Sequence, residues 1–234
     1  MSVNSDVAEV AKFDSLASRW WDPDGPLRTL HELNPHRVAY LSDRAELNDA
    51  RILDVGCGGG ILTEALAAAG ARTVGTDLAE SSIAIAQAHA RENGFNIEYR
   101  SDPVAEIAAS EPGSFDAVIC FEVLEHVDDP DAIVAACASA VKPGGDVFLS
   151  TISRSPKSFL LAIVAAEYVL KLVPRGTHEY LNFIRPAELA AMCRAARLDL
   201  RDLTGLHFNP ISREYTMGGN VDVNFFLHAR RPPD

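Results

Sequence analysis

The residues best placed by type and spacing to do chemistry fall in two groups. The first is Arg51-Ile52-Leu53-Asp54-Val55-Gly56-Cys57-Gly58-Gly59-Gly60-Ile61-Leu62, an apolar run that passes an acid and enters a glycine-rich turn. Glycine lets a backbone come close to a ligand and take positive φ. A dinucleotide fingerprint requires glycine or alanine three residues after Gly58, but Ile61 stands there, so the turn has no pyrophosphate to cradle and a nicotinamide-dependent dehydrogenase is disfavoured. Asp77 follows nineteen residues after Gly58, where two carboxylate oxygens can accept from both hydroxyls of a ribose. The second group is Glu122, Glu125 and His126. Two carboxylates and an imidazole at this spacing suit a hard or borderline divalent ion, or general-base work by the histidine. The same Glu-x-x-Glu-His run also suits a metal-free role in which it opens a helix or positions a substrate.

Positioning these groups requires strands that end together. Short β-branched or apolar runs near 51–55, 72–76, 96–100, 115–121 and 146–152 alternate with helical segments near 60–69, 80–92 and 130–141. That alternation predicts an α/β fold, a parallel doubly wound sheet with right-handed crossovers. Asp6-Val7-Ala8-Glu9 reads as a capping box for a first helix and Asn34-Pro35 as the start of a second, so a helical cap over about 6–46 precedes the sheet. Pro143-Gly144-Gly145 is expected to turn into the fifth strand. A helical insertion over about 154–185 follows, then a short helix near Pro186. Two last strands, about 198–206 and 221–229, have no helix between them and should pair antiparallel. With 234 residues, all of this belongs to a single domain spanning 1–234.

A cationic sulfonium ligand would be oriented by the carboxylate of Asp54, and its ribose by Asp77. The donor with that chemistry is S-adenosylmethionine (SAM). Together with Ser114-Phe115-Asp116-Ala117-Val118 and Val141-Lys142-Pro143-Gly144-Gly145 at later strands, these residues resemble the class I SAM-dependent methyltransferases. The resemblance implies a Rossmann-like, seven-stranded, mostly parallel sheet with an antiparallel last strand. It also implies an adenine contact from Asp102 and adenosyl packing by Phe121.

Further segments narrow the family: Ala17-Ser18-Arg19-Trp20-Trp21-Asp22, Leu33-Asn34-Pro35-His36-Arg37, Glu122-Val123-Leu124-Glu125-His126-Val127, Gly176-Thr177-His178-Glu179 and Thr204-Gly205-Leu206-His207-Phe208-Asn209-Pro210. They are similar to the ubiquinone-biosynthesis O-methyltransferases over nearly the whole chain. That resemblance implies a polyprenylated catechol or quinol substrate, both O-methylation steps of ubiquinone biosynthesis, and membership of a biosynthetic complex. It carries the SAM carboxylate to Arg37 and the rest of the cofactor to Gly56, Gly58 and Asp77 with its neighbour Leu78. Two other readings are a methyltransferase of another small acceptor and a catalytically silent, lipid-binding partner.

A phenol with a pKa near ~10 is only ~0.1% ionised at neutral pH, so the acceptor must be deprotonated. On one reading Glu122, Glu125 and His126 hold Mg²⁺ or a similar ion that activates both catechol oxygens; on the other His126 is the general base.

The formal net charge of −12 opposes nucleic acid. Cys57, Cys120, Cys137 and Cys193 lie far apart and read as free thiols, which fits a cytoplasmic protein. Phe159–Val173 is apolar but carries Glu167 and Lys171, too short a run for a bilayer span. It reads either as a core helix or as part of a lid, about 156–175, touching anionic lipid at the inner membrane. His178, His207, His228 and the Trp20-Trp21 pair are expected to pack or line the substrate rather than react.

Overall fold

The structure, a computed structural model, describes residues 19–158, 180–209 and 211–233. The expected helix from Asp6, most of the 154–185 insertion, and His178 lie outside the described residues. Eight strands form one sheet in the order β3-β2-β1-β4-β5-β8-β6-β7. They are β1 (Arg51–Val55), β2 (Arg72–Thr76), β3 (Glu98–Arg100), β4 (Phe115–Phe121), β5 (Val141–Ile152), β6 (Asp199–Asn209), β7 (Glu214–Met217) and β8 (Asn224–Arg230). The first five run parallel to one another, and β8 enters antiparallel between β5 and β6.

Helices α1 (Arg28–Ser42), α2 (Ile61–Ala68), α3 (Glu80–Glu92), α4 (Val104–Ser110), α5 (Pro130–Ala140) and α6 (Pro186–Ala195) cover the sheet. Strands β1, β2, β4 and β5 bury both faces, as parallel strands between helices must, and their side chains alternate between two cores. Leu53, Val118, Cys120, Val147, Leu149 and Leu227 meet α4, α5 and α6; Ile52, Ala117, Ile119, Phe148 and Phe226 meet α1 and α2. Helix α1 joins that second core through Leu33, Arg37, Tyr40 and Leu41, a helical stripe of one face. Helix α5 starts on an Asp129 cap whose carboxylate accepts from the Ala132 N–H at 3.0 Å, with Pro130 behind it.

Three sequence expectations need correction, and one helix goes unread in the sequence. Asn34-Pro35 does not open a helix; it lies inside α1, which starts at Arg28. Pro35 is exposed, where the bond its missing N–H forgoes costs least, and the Asn34 amide instead donates to the Ile61 carbonyl at 3.1 Å. Pro143-Gly144-Gly145 does not precede β5 but forms an irregularity within it, between the Phe115–Val141 and Ala117–Asp146 pairs. Helix α4 has too few residues to show a period in the sequence. The sheet has eight strands, not seven, because Glu214–Met217 pairs with β6 as a short edge strand.

Among the described residues no helix is long and apolar enough to cross a membrane. At the sheet end where β5 begins, Asp146 accepts from His228 Nε2 at 2.8 Å and from Arg230 Nε and Nη2 at 2.9 and 3.0 Å, and the His228 ring stacks on Phe148. His228 is thus structural, as expected. Burial opposes ionisation of Asp146, but His228 and Arg230 outweigh it and hold the carboxyl below its ordinary value. This contribution to stability is present above the ordinary carboxylate value and is lost as pH falls through the depressed one. Asp146→Ala, which orphans the buried imidazole, is expected to lower unfolding stability by about 2–3 kcal/mol in urea titrations.

Candidate active site

Strand register brings the functional loops to one edge. Val55 pairs with Thr76 on one side and Cys120 on the other, and Thr76 pairs with Arg100, so β1, β2, β3 and β4 end nearly level. The order reverses at β1, with β2 on one flank and β4 on the other, and open α/β sheets bind ligands at such a point. The turn after β1 takes left-handed backbone at Gly56, Gly58 and Gly60, with φ of 73°, 52° and 90°. At Gly56 a Cβ would stand 2.2 Å from Val123 Cγ2, so the loop after β4 presses on the turn too closely for any side chain.

Two carboxylates organise this turn. Asp54 is 3% exposed and accepts from Thr63 Oγ1 in the first turn of α2 at 2.6 Å. Burial pushes its pKa up to about 6, with Thr63 and Arg37 pulling the other way. Asp77 accepts from the Gly58 N–H through Oδ2 and from the Ala79 N–H through Oδ1, each at 2.9 Å. It therefore ties the glycine turn to the start of α3, and each oxygen has a second lone pair. Leu78 is half-buried beside it. The exposed Asp102 has its carbonyl accepting from Thr76 Oγ1 at 2.5 Å, which fixes the loop after β3 to the end of β2.

Beyond β4 the chain turns at Glu122, whose φ is +56°, a strained choice for a residue with a long side chain. Its N–H donates to the Ser150 carbonyl and Oγ, both at 3.1 Å. The turn aims the Glu122 carboxylate at Arg37 of α1, with Oε1 2.7 Å from Nη2. Arg37 is buried, and among the described residues its Nε has no hydrogen-bond partner. Phe121 is buried edge-on against Phe226, 6.0 Å from the Arg37 guanidinium. Glu125 is 4% exposed and accepts from Thr151 Oγ1 at 2.9 Å; burial raises its pKa, while the neighbouring His126 opposes that rise. His126 ends a single 3₁₀ turn, Leu124–His126, and is half-buried.

The structure thus gathers Arg37, Asp54, Gly56, Gly58, Asp77, Phe121 and Glu122 around one edge, but it does not assemble the expected metal ligands. Glu122 is committed to Arg37 and Glu125 to Thr151, and among the described residues no three His, Cys, Asp or Glu side chains are grouped to hold an ion. An ion on Glu122 would first have to take it from Arg37. Sequence reasoning missed Thr63, Ser150 and Thr151. Their signal is a polar residue inside an apolar run, in Ile61-Leu62-Thr63-Glu64-Ala65-Leu66 and Phe148-Leu149-Ser150-Thr151-Ile152. His207 is structural, with Nε2 2.8 Å from the Gly218 carbonyl.

A family model described as a methyltransferase domain matches residues 27–203. Over 229 residues the chain is 52% identical to the ubiquinone biosynthesis O-methyltransferase of Hahella chejuensis, covering 98% of this chain and 96% of that protein. The chain belongs to the ubiquinone biosynthesis O-methyltransferase family. The enzyme of that name from Azotobacter vinelandii is 50% identical over 228 residues, covering 97% and 98% of the two chains. Among solved structures, the fold is similar to a magnesium protoporphyrin IX methyltransferase from Synechocystis, crystallised with SAH (TM-score 0.66, 23% identity, 95% and 99% of the chains). It is also similar to a possible histamine N-methyltransferase from Thermotoga maritima (TM-score 0.65, 16% identity, 96% and 99%).

Proposed function

We propose that this chain transfers a methyl group from SAM to a hydroxyl of a polyprenylated catechol or quinol, serving both O-methylation steps of ubiquinone biosynthesis, the pathway in its relatives' name. The observation that carries this reading is the buried Arg37 Nε, without a partner among the described residues and set at the same sheet edge as Asp54 and Asp77. An unsatisfied buried donor is costly unless a ligand fills it, and the SAM carboxylate has the right chemistry to do so. Asp54 suits the cationic methionyl end, the Asp77 carboxylate at the end of β2 suits ribose hydroxyls, and Asp102, Leu78 and Phe121 suit the adenosyl group. When bound, SAM supplies an electrophilic sulfonium methyl.

The chain's part is to align an acceptor oxygen with that methyl and remove its proton. We assign the proton to His126, with the Glu125 carboxylate, held by Thr151, stabilising the imidazolium that forms. Glu122 positions Arg37. His126→Gln is expected to lower kcat about 100-fold while the affinity for SAH stays within about twofold of wild type. An equal loss of both would remove His126 from the proton transfer. The deciding assay is mass-spectrometric detection of methyl transfer to a short-chain prenyl catechol. Turnover of the catechol but not of a monophenol supports the reading; SAH binding with turnover of unrelated acceptors alone overturns it.

The polyprenyl tail of such a substrate partitions into bilayers, which supports lipid contact by the apolar sequence at about 156–175. Liposome flotation of wild type against Leu161→Glu tests it, and equal absence of binding in both would remove the contact.

A further inference from the structure

Both tryptophans of the chain lie side by side in the segment leading into α1, and both rest on the glycine turn. Trp20 is 6% exposed and covers Gly58 and Gly59 so closely that Cβ atoms there would stand 2.0 Å from its Cζ2 and 2.3 Å from its Cδ1. Gly59 is the informative one. Its backbone is not in the left-handed region, so no dihedral demands glycine, and only the indole of Trp20 forbids a side chain. Turn and indole are therefore a matched pair.

Trp21 adds a polar tie: its Nε1–H donates to the Gly59 carbonyl at 3.0 Å. Its ring then stacks flat on His89 of α3, with centroids 3.4 Å apart and planes 5° from parallel. His89 Nδ1 lies 2.9 Å from both carboxylate oxygens of Glu64 on α2, a side chain only 6% exposed. The other end of the segment is also fixed. Asp22 accepts from the Asp24 N–H, pairs with Arg19 at 3.2 Å, and the Trp20 carbonyl meets His31 Nε2 at 2.8 Å.

We propose that Trp20-Trp21 is a strap holding the cofactor turn in its binding conformation, and that His89 and Glu64 are positioning residues that lock the strap through Trp21. The inference rests on the cofactor reading above. The Trp21 N–H needs an acceptor wherever it packs; that this acceptor is the carbonyl of the cofactor turn, with a carboxylate–imidazole pair behind the ring, couples the strap to the turn. The turn it grips is the one that Asp77 grips through the Gly58 N–H, so strap and ribose-reading carboxylate act on adjacent residues of one turn. Loosening the strap should therefore weaken cofactor binding without touching the acceptor chemistry.

Because the chain's only indoles sit in the strap, its fluorescence reports the strap alone. The experiment is titration of full-length protein with SAH, followed by both indole emission and calorimetry, for wild type, Trp21→Phe, His89→Gln and Glu64→Gln. Trp21→Phe keeps the ring stack and deletes the bond to Gly59; His89→Gln deletes the stack; Glu64→Gln keeps a hydrogen-bond acceptor for His89 and is the conservative control. Expected are a saturable emission change in wild type and a rise of about five- to tenfold in SAH Kd and SAM KM for Trp21→Phe and His89→Gln, the size of one neutral hydrogen bond. Their kcat at saturating SAM should stay within about twofold of wild type, and Glu64→Gln should fall between wild type and His89→Gln. In a double-mutant cycle Trp21→Phe and His89→Gln should be non-additive, since one acts through the other. Wild-type protein that binds no SAH would overturn the cofactor reading itself. Wild type that binds SAH without any emission change, or folded variants with unaltered Kd, or a loss in kcat alone, would overturn the strap.

Discussion

Asp54→Asn is expected to make the ligand-free protein more stable at pH 7 and to abolish useful SAM affinity. Burial lifts the Asp54 pKa from its ordinary 3.8 to about 6. A carboxyl raised in this way favours folding while protonated. Its contribution is full below about pH 4, falls as pH rises to about 6, and above that the ionised group works against the fold. The interval corresponds to about 3 kcal/mol as an upper bound, at about 1.36 kcal/mol per pKa unit. Asparagine keeps an acceptor for the Thr63 hydroxyl and removes the charge, so a net gain of about 1–2 kcal/mol remains after the charge-assisted bond is lost. The difference between variant and wild type should shrink as pH falls through 6, and thermal melts at pH 5 and pH 7 read it directly. A variant less stable than wild type at pH 7 would show that the charge is structural. Calorimetry should meanwhile register a loss in SAM affinity of at least about 30-fold, the worth of one charged contact. A carboxylate kept ionised against its own burial is what a site for a cation requires.

The fold was legible in the sequence where elements are long and fully buried. Phe115-Asp116-Ala117-Val118-Ile119-Cys120-Phe121 has one apolar run and became β4 within the residues expected. Strands β1 and β2 and helix α3 likewise begin and end where the pattern places them. What stayed hidden was set by tertiary context. Pro35 is tolerated inside α1 because it faces outward, and no local rule tells an exposed interior proline from a first-turn one. Strand β7 has four residues, and its alternation, with Tyr215 and Met217 packing on the second core, is too short to stand out in the sequence.

The site divides the same way. Asp54, Gly56, Gly58 and Asp77 are tied by spacing along a strand-turn-helix unit, so sequence distance translates directly into space. Arg37 and Glu122 meet across 85 positions of chain, and their pairing required the left-handed turn at Glu122, which sequence does not announce for glutamate. Among the described residues the expected metal ligands are not grouped: Glu122 points to α1 and Glu125 to Thr151, directions that closeness in sequence does not reveal. The tryptophan pair was assigned to packing or to the substrate, and nothing local links it to His89, which comes from α3.

Arg37→Met should cost about 2 kcal/mol of stability and raise the SAH Kd about 100-fold. The stability figure lies below the 3–5 kcal/mol for severing a fully buried pair, because the Glu122 side chain is 30% exposed although that of Arg37 is only 8%. The affinity figure reflects a charged, two-point donor replaced by an apolar chain of similar length. Taken alone, neither number separates a cofactor ligand from a structural cation. The double variant Arg37→Met with Glu122→Gln does, because it leaves no unpaired charge: urea denaturation should return most of the lost stability, while calorimetry should find SAH affinity still depressed. If affinity recovers with stability, Arg37 serves only to hold Glu122 in its strained turn, and the partnerless Nε has no ligand to meet. If affinity stays low in a protein of restored stability, the guanidinium is binding the cofactor carboxylate while Glu122 keeps it aimed.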